Sequence, residues 1–396
     1  MRTVGVGLLP LSVFIALALV ACASLTTPTP GAPPANPTPA ARPGLTNASS
    51  TLGQTLDPLS YEQMLERVYA EVSPSVVNID IAQRAGGAPS PFGEDRFEYG
   101  NGSGFVWDKS GHIVTNNHVI DGASRIRVTF FDGATVEAVV VGADPDSDLA
   151  VIRVDMPLER LRPIQTTDST VAQVGQLVVA IGNPFGLQGT MTTGIVSGLG
   201  RSLPATAALG GAGYVIPDII QTDAAINPGN SGGVLVDMRG RLLGVTSAII
   251  SPVRASAGVG FAIPTVIVNK VVAALIADGR FTHSWFGISM VAMRIDIARE
   301  MGLPATQRGV LIVTLAPDGP AARAGLRAGT REVTIDGQTV AVGGDVLTAV
   351  DGVPIPDPDA LTRFLARSTR PGQDVVVTFL RDGLEQTATV TIGERQ

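Results

Sequence analysis

Between residues 75 and 181 the chain presents short apolar runs at close intervals: 75–81, 102–107, 112–115, 125–130, 135–141, 150–154 and 177–181. Turn signals punctuate them, among them Lys109-Ser110-Gly111 and Asp132-Gly133, with Arg239-Gly240 further on. Runs of four to seven residues are too short for helices that bury a face, but they suit strands. The 46 glycines and 28 prolines supply the turns such a chain needs. This pattern predicts a mainly β fold built as a sandwich or barrel. A helical pattern resumes only at 265–277, with Ile267, Val271 and Leu275 on one face, and stops at Gly279, which marks a boundary. From about Trp285 the pattern changes to a mixed α/β unit. Strands are expected at 310–315, 345–350 and 374–379, and a helix at 359–366 is capped by Asp357 and opened by Pro358.

With 396 residues, about two domains are expected. Ahead of them, Val4 to Val20 is an apolar run preceded by Arg2 and followed by Ala21-Cys22. It is short for a membrane span and ends in small residues, as a signal peptide does. Leu19-Val20-Ala21-Cys22 resembles the bacterial lipobox, whose cysteine is lipidated. Each buried CH₂ of an acyl chain contributes about 0.8 kcal/mol, so several chains on Cys22 would hold the protein at a membrane. Residues 23–58, rich in Pro, Thr and Ala, read as a disordered tether. The folded part divides into 59–280 and 285–395. It opens with a helix whose capping-box pair is Ser60 and Gln63, whose apolar positions include Tyr61, Leu65, Val68 and Tyr69, and which ends at Pro74.

A net charge of −7 carries no basic footprint for nucleic acid. One cysteine forms no internal disulfide, and with only three histidines a structural metal site is not expected, nor is any cofactor.

The segment Asn227-Pro228-Gly229-Asn230-Ser231-Gly232-Gly233 carries the chemistry. Ser231 lies between glycines in a sharp turn that lets a substrate backbone come close, and the Gly229 and Ser231 amides are placed to form an oxyanion hole. A serine needs a base and an orienting carboxylate. His118 follows a strand in Thr115-Asn116-Asn117-His118-Val119, whereas His112 and His283 read as surface or packing residues. Asp148 leads into Leu149-Ala150-Val151-Ile152, but Asp144 and Asp146 are close, and spacing alone does not choose among the three. The run Gly229–Gly233 also fits the nucleophile elbow of α/β-hydrolases. That motif requires the acid and histidine to follow the serine and a helix to come after it; here the order is His, Asp, Ser.

Taken in order, Gly102-Ser103-Gly104-Phe105, Thr115–Val119, Asp148–Val151, Gly182-Asn183-Pro184-Phe185-Gly186, Gln221–Gly233 and Gly260–Pro264 resemble the HtrA (DegP/DegS-like) serine proteases. The resemblance implies Asp148 as the triad acid beside His118 and Ser231. It also implies two six-stranded barrels of the chymotrypsin type and ATP-independent cleavage of unfolded or damaged proteins. Asn230, Ser247, Ala248 and Ile249 become expected substrate-binding residues. The second half resembles a PDZ domain, with Phe286, Gly287 and Ile288 of Trp285-Phe286-Gly287-Ile288 as the loop that receives a peptide C-terminus. Within that domain the family's Gly-Asp pair appears only at Gly344-Asp345, after a stretch from Thr330 to Gly343 that reads as an inserted hairpin turning at Asp336-Gly337. The resemblance further implies a homotrimer in the bacterial cell envelope. The alternative from another class is a chaperone that holds unfolded chains, with proteolysis secondary.

Overall fold

A computed structural model describes residues 58–84, 97–184, 189–204, 215–247 and 258–395. The segment bearing Cys22 and the tether lies outside the described residues, as do Ala248 and Ile249. No described helix is long and apolar enough to cross a membrane.

Helix α1 (Pro58–Val72) is already formed at Pro58, so Ser60 sits inside it and does not cap it. Six strands follow: β1 (Val76–Arg84), β2 (Phe97–Val106), β3 (His112–Thr115), β4 (Arg125–Thr129), β5 (Thr135–Asp144) and β6 (Leu149–Val154), with a single helical turn α2 (Asn117–Ile120) after β3. They close a barrel in the order β1-β2-β3-β6-β5-β4. A second barrel is built from β7 (Leu177–Gly182), β8 (Thr190–Pro204), β9 (Val215–Thr222), β10 (Val234–Asp237), β11 (Leu242–Ser247) and β12 (Gly260–Pro264), in the order β10-β11-β12-β9-β8-β7.

The alternation of side chains along a strand explains why the runs in the sequence are apolar throughout. In the first barrel Val77, Ile79, Ile113, Ala150 and Ile152 fill the interior. Their neighbours Val76, Phe105, Val114, Leu149 and Val151 face the other way, into a larger core shared with Val179, Ile181, Val234 and Val245 of the second barrel. Val68 and Val72 of α1 and Ile267, Val271 and Leu275 of α3 (Thr265–Asp278) seal that shared core. Strands buried on both faces tie the first barrel's interior to the core it shares with the second.

Helix α3 leads into the second domain. Its sheet runs β14-β15-β18-β20-β21, from β14 (Ile288–Ala292), β15 (Val310–Leu315), β18 (Val346–Val350), β20 (Asp374–Arg381) and β21 (Leu384–Thr391), with β19 (Val353–Pro354) paired to β18. Two short strands, β13 (Ser284–Trp285) and β22 (Gly393–Glu394), tie the domain's entrance to its exit. The helices are α4 (Ile295–Glu300), α5 (Pro320–Arg323) and α6 (Pro358–Ser368). The Asp357 carboxylate accepts from the Ala360 amide at 2.9 Å, the cap read from the sequence. The expected insertion is a hairpin, β16 (Arg331–Ile335) and β17 (Gln338–Val342), and it is more than surface decoration: Val333, Ile335, Val340 and Val342 join Met293, Ile297 and Leu311 in a separate small core.

Helix α6 lies on the second barrel. Arg367 donates from both Nε and Nη2 to the fully buried Asp218, the latter at 2.8 Å, and Arg363 donates to the Gly200 carbonyl at 3.1 Å. Burial pushes the Asp218 carboxyl up, against the pull of Arg367 and Arg363. Arg367→Met leaves this carboxyl buried without its partner and is expected to cost about 3–5 kcal/mol at neutral pH. A carboxyl raised on folding contributes stability that is fully present below its unfolded value and lost as pH rises through its folded value. Removing the arginine raises it further, so the variant's deficit should shrink on acidification. Thermal melts of both proteins at about pH 7 and about pH 5 check this, and a deficit that grows at the lower pH refutes it.

Candidate active site

Strand register brings the first two residues together. Thr115 of β3 pairs with Ala150 of β6, and continuing that ladder sets Asn117 opposite Asp148. The Asn117 amide (3.2 Å) and the Asn116 Nδ2 (2.8 Å) both donate to the Asp148 carbonyl. The next residue, His118, then turns its ring onto the carboxylate. Its Nδ1 lies 2.9 Å from both oxygens of Asp148, and its backbone N–H donates to Oδ1 at 3.1 Å. The Ser247 hydroxyl donates to Oδ2 at 3.2 Å. Of the three acids that spacing left open, Asp148 is the one that meets His118. It is fully buried and has a left-handed backbone, φ 54°, a conformation that aspartate adopts more readily than most non-glycine residues.

Ser231 comes from the other barrel, in the turn between β9 and β10. Two glycines there are obligatory. A Cβ on Gly229 would sit 2.4 Å from the Pro184 Cβ, and one on Gly232 would sit 2.1 Å from the Ser103 carbonyl oxygen; both have positive φ, 91° and 82°. The carbonyls of this turn are held one by one. Ser103 Oγ donates to the Gly229 oxygen (2.6 Å), Thr246 Oγ1 to the Asn230 oxygen (2.6 Å), and the Ser103 amide to the Ser231 oxygen (2.8 Å). Thr115 Oγ1 steadies Ser103 by donating to its carbonyl at 2.7 Å, and the Asn183 amide donates to Ser103 Oγ at 2.8 Å. His118, Ser231, Gly229, Pro228 and Asn101 line one open cleft of about 270 Å³.

Two expected substrate-binding residues have buried side chains. Asn230 is buried, and its Oδ1 lies so close over Gly182 that a Cβ there would meet it at 2.6 Å. Ser247 is also buried, with its hydroxyl on the Asp148 carboxylate. Ser103 was legible only as a small residue in Gly102-Ser103-Gly104. What a sequence does not display is that a β2 hydroxyl reaches across to the other barrel. Ser103→Ala removes the donor that fixes the Gly229 peptide and is expected to lower kcat by roughly 10- to 100-fold at nearly unchanged KM, the effect of a small misplacement. A loss carried by KM would refute this role. The third histidine, read as a surface or packing residue, has Nε2 at 2.9 and 3.0 Å from the Asp144 carboxylate.

In the second domain Phe286, Gly287 and Ile288 enter the edge strand β14. The Phe286 carbonyl accepts from the Ala321 amide (3.1 Å) and the Gly287 carbonyl from the Ala316 amide (2.9 Å).

Two closed barrels, with a histidine–carboxylate pair from one and a serine turn from the other, define a trypsin-like peptidase, and a mixed α/β domain follows it. Residues 102–245 match the trypsin-like peptidase domain and residues 286–392 the PDZ domain. Protease Do-like 1, chloroplastic, of Arabidopsis thaliana is 43% identical over 359 residues, covering 89% of this chain and 77% of the relative. A probable periplasmic serine endoprotease DegP-like of Brucella suis is 40% identical over 291 residues, covering 74% of this chain; the chain spans about half of that relative, 52%. The solved structure of the HtrA-type protease AlgW with tripeptide superposes with a TM-score of 0.66 at 34% identity, over 84% of this chain and 97% of that one. The chain belongs to the HtrA-type, DegP-like serine protease family.

Proposed function

We propose that this protein is an ATP-independent endopeptidase of the bacterial cell envelope that cleaves unfolded or damaged proteins. Ser231 is the nucleophile, His118 takes its proton, Asp148 orients the imidazole, and the Gly229 and Ser231 amides receive the oxyanion. The observation that carries this reading is the Asp148–His118 pair facing the same cleft as Ser231. A carboxylate only accepts hydrogen bonds, so Nδ1 keeps its proton and Nε2 is left with a lone pair for the serine hydroxyl. The segment 248–249 after Ser247 is assigned to substrate backbone, following the family.

The PDZ domain is assigned the capture of peptide C-termini. In a trans peptide the N–H points opposite to the C=O. Because the Phe286 and Gly287 carbonyls face Ala321 and Ala316, the Gly287 and Ile288 amides face the other way, where a carboxylate would be received. β14 is also an edge strand, on which a peptide adds as a further strand. A periplasmic name on the Brucella relative supports an extracytoplasmic location, for which lipidated Cys22 is the proposed anchor, and a homotrimer is the proposed assembly.

Labelling tests the reading. A serine-directed organophosphonate is expected to attach once per chain, at Ser231, and to stop casein cleavage in proportion to labelling. Full casein cleavage by fully labelled protein would sink it.

A further inference from the structure

We propose that His283, in the segment joining the two domains, is a positioning residue for catalysis: through Asp144 and Ser147 it fixes the turn that carries Asp148 and ties that turn to helix α6 of the PDZ domain. The inference rests on the triad proposed above.

The turn from Asp144 to Asp148 joins β5 to β6, and it is organised around the Asp144 carboxylate. Its Oδ2 accepts from both the Ser147 amide (3.2 Å) and the Ser147 hydroxyl. The Asp148 amide donates to the Pro145 carbonyl at 3.3 Å. Asp148 then leaves this turn in its left-handed conformation. The hydrogen bonds of this turn therefore set where the Asp148 carboxylate points. Asp144 and Ser147 are themselves buried, so the carboxylate has little water to complete its shell. His283 completes it. A carboxylate cannot donate, so the imidazole Nε2–H is the donor across the 2.9 and 3.0 Å contacts.

His283 is held from the other side by the second domain. Its carbonyl accepts from the Arg395 amide at 3.0 Å, beside the β13–β22 pair. Its ring meets Phe281 edge to face, with centroids 4.7 Å apart. Lys270 of α3 lies 5.9 Å from the centre of the Phe281 ring and donates to the carbonyls of Ala366 and Thr369, at the carboxyl end of α6, at 2.7 Å each. Burial pulls the Lys270 ammonium down, as a cation enclosed between two domains requires. Ser147, Lys270, Phe281, His283, Leu365 and Ala366 all line one cavity of about 90 Å³, so α6 and the turn of the triad acid share a wall. Contacts run without a break from α6 through Lys270, Phe281, His283, Asp144 and Ser147 to Asp148 and His118. Because α6 flanks β14, the edge proposed for peptide, displacement of α6 reaches the carboxylate by this route.

The test uses the full chain. His283→Ala is expected to lower kcat for casein or a peptide substrate by roughly 10- to 100-fold with KM within about twofold. His283→Gln, whose amide nitrogen can stand where Nε2 stood, is expected to recover most of that loss. Unchanged kcat in the alanine variant, a loss confined to KM, or a glutamine variant as impaired as the alanine one overturns the proposal. A second readout needs no turnover. With only three histidines in the chain, ¹⁵N-histidine labelling isolates the His118 Nδ1 proton that bonds Asp148. Its signal is expected to weaken in His283→Ala and to persist in His283→Gln; a signal identical in all three proteins overturns the proposal. If the alanine variant does not fold, Asp144→Asn carries the same test with the same outcomes. Read on a Ser231→Ala background, the signal separates the two claims, since the nucleophile can prove wrong while the Asp144–Asp148 coupling stands.

Discussion

Ser231→Ala is expected to lower kcat for casein by roughly a million-fold while leaving the thermal melt near that of the parent protein. The melt should hold because what organises the turn is backbone. The Gly229, Asn230 and Ser231 carbonyls remain bound to Ser103 Oγ, Thr246 Oγ1 and the Ser103 amide whatever side chain stands at 231. Activity should collapse because no other hydroxyl of the turn faces the cleft that His118 lines. Any residual rate reports what the oxyanion donors achieve on water alone, which in serine proteases is still roughly 10³–10⁴ above solution. Casein turnover by purified Ser231→Ala at the parent rate would remove Ser231 from the mechanism. The same variant, unable to cut, also isolates the chaperone alternative: suppression of aggregation at equimolar protein would reveal a holding activity.

Asp148→Asn should cost nearly as much, about 10⁴-fold in kcat, although it changes a single atom. The geometry dictates how the amide must sit. Oδ1 of Asp148 accepts the His118 backbone N–H, a donor with no freedom to move, so the asparagine oxygen takes that place. The amide nitrogen then falls where Oδ2 was, facing His118 Nδ1 and the Ser247 hydroxyl. It donates into Nδ1, which places the imidazole proton on Nε2, and Nε2 can no longer accept from Ser231. KM should change little, because neither atom touches the cleft. Activity should return partly at high pH, where the histidine no longer limits removal of the serine proton; a variant with the parent's rate at neutral pH would contradict this arrangement.

Most of the fold was legible because these strands are short, apolar and bounded by turns, and the helices at 265 and 358 carry ordinary stop and cap signals. The first helix was misread at its start because a Ser60–Gln63 pattern matches a cap wherever it falls. Which acid meets His118 was not readable from spacing. Asp144, Asp146 and Asp148 lie within five residues, and it is the β3–β6 register that brings Asp148 to His118. The side chains of Asn230, in the Ser231 turn, and Ser247, at the end of β11, are both buried, which the sequence pattern does not display. Ser103 and His283 act across 126 and 139 residues of chain, on Gly229 and Asp144 respectively, and no local pattern encodes a contact of that range.

The division of the site between barrels has a consequence for biosynthesis. A chain that emerges amino terminus first delivers His118 and Asp148 with the first barrel, while Ser231 and the turn around it lie more than eighty residues further on. Even when Ser231 has emerged, its turn still needs Thr246 from β11 beneath it and Ser103 from the first barrel to clamp it. A half-made molecule is thus chemically inert toward its neighbours and toward its own unfolded remainder. Cutting ability therefore arrives late and all at once, only when both barrels and β11 have been made.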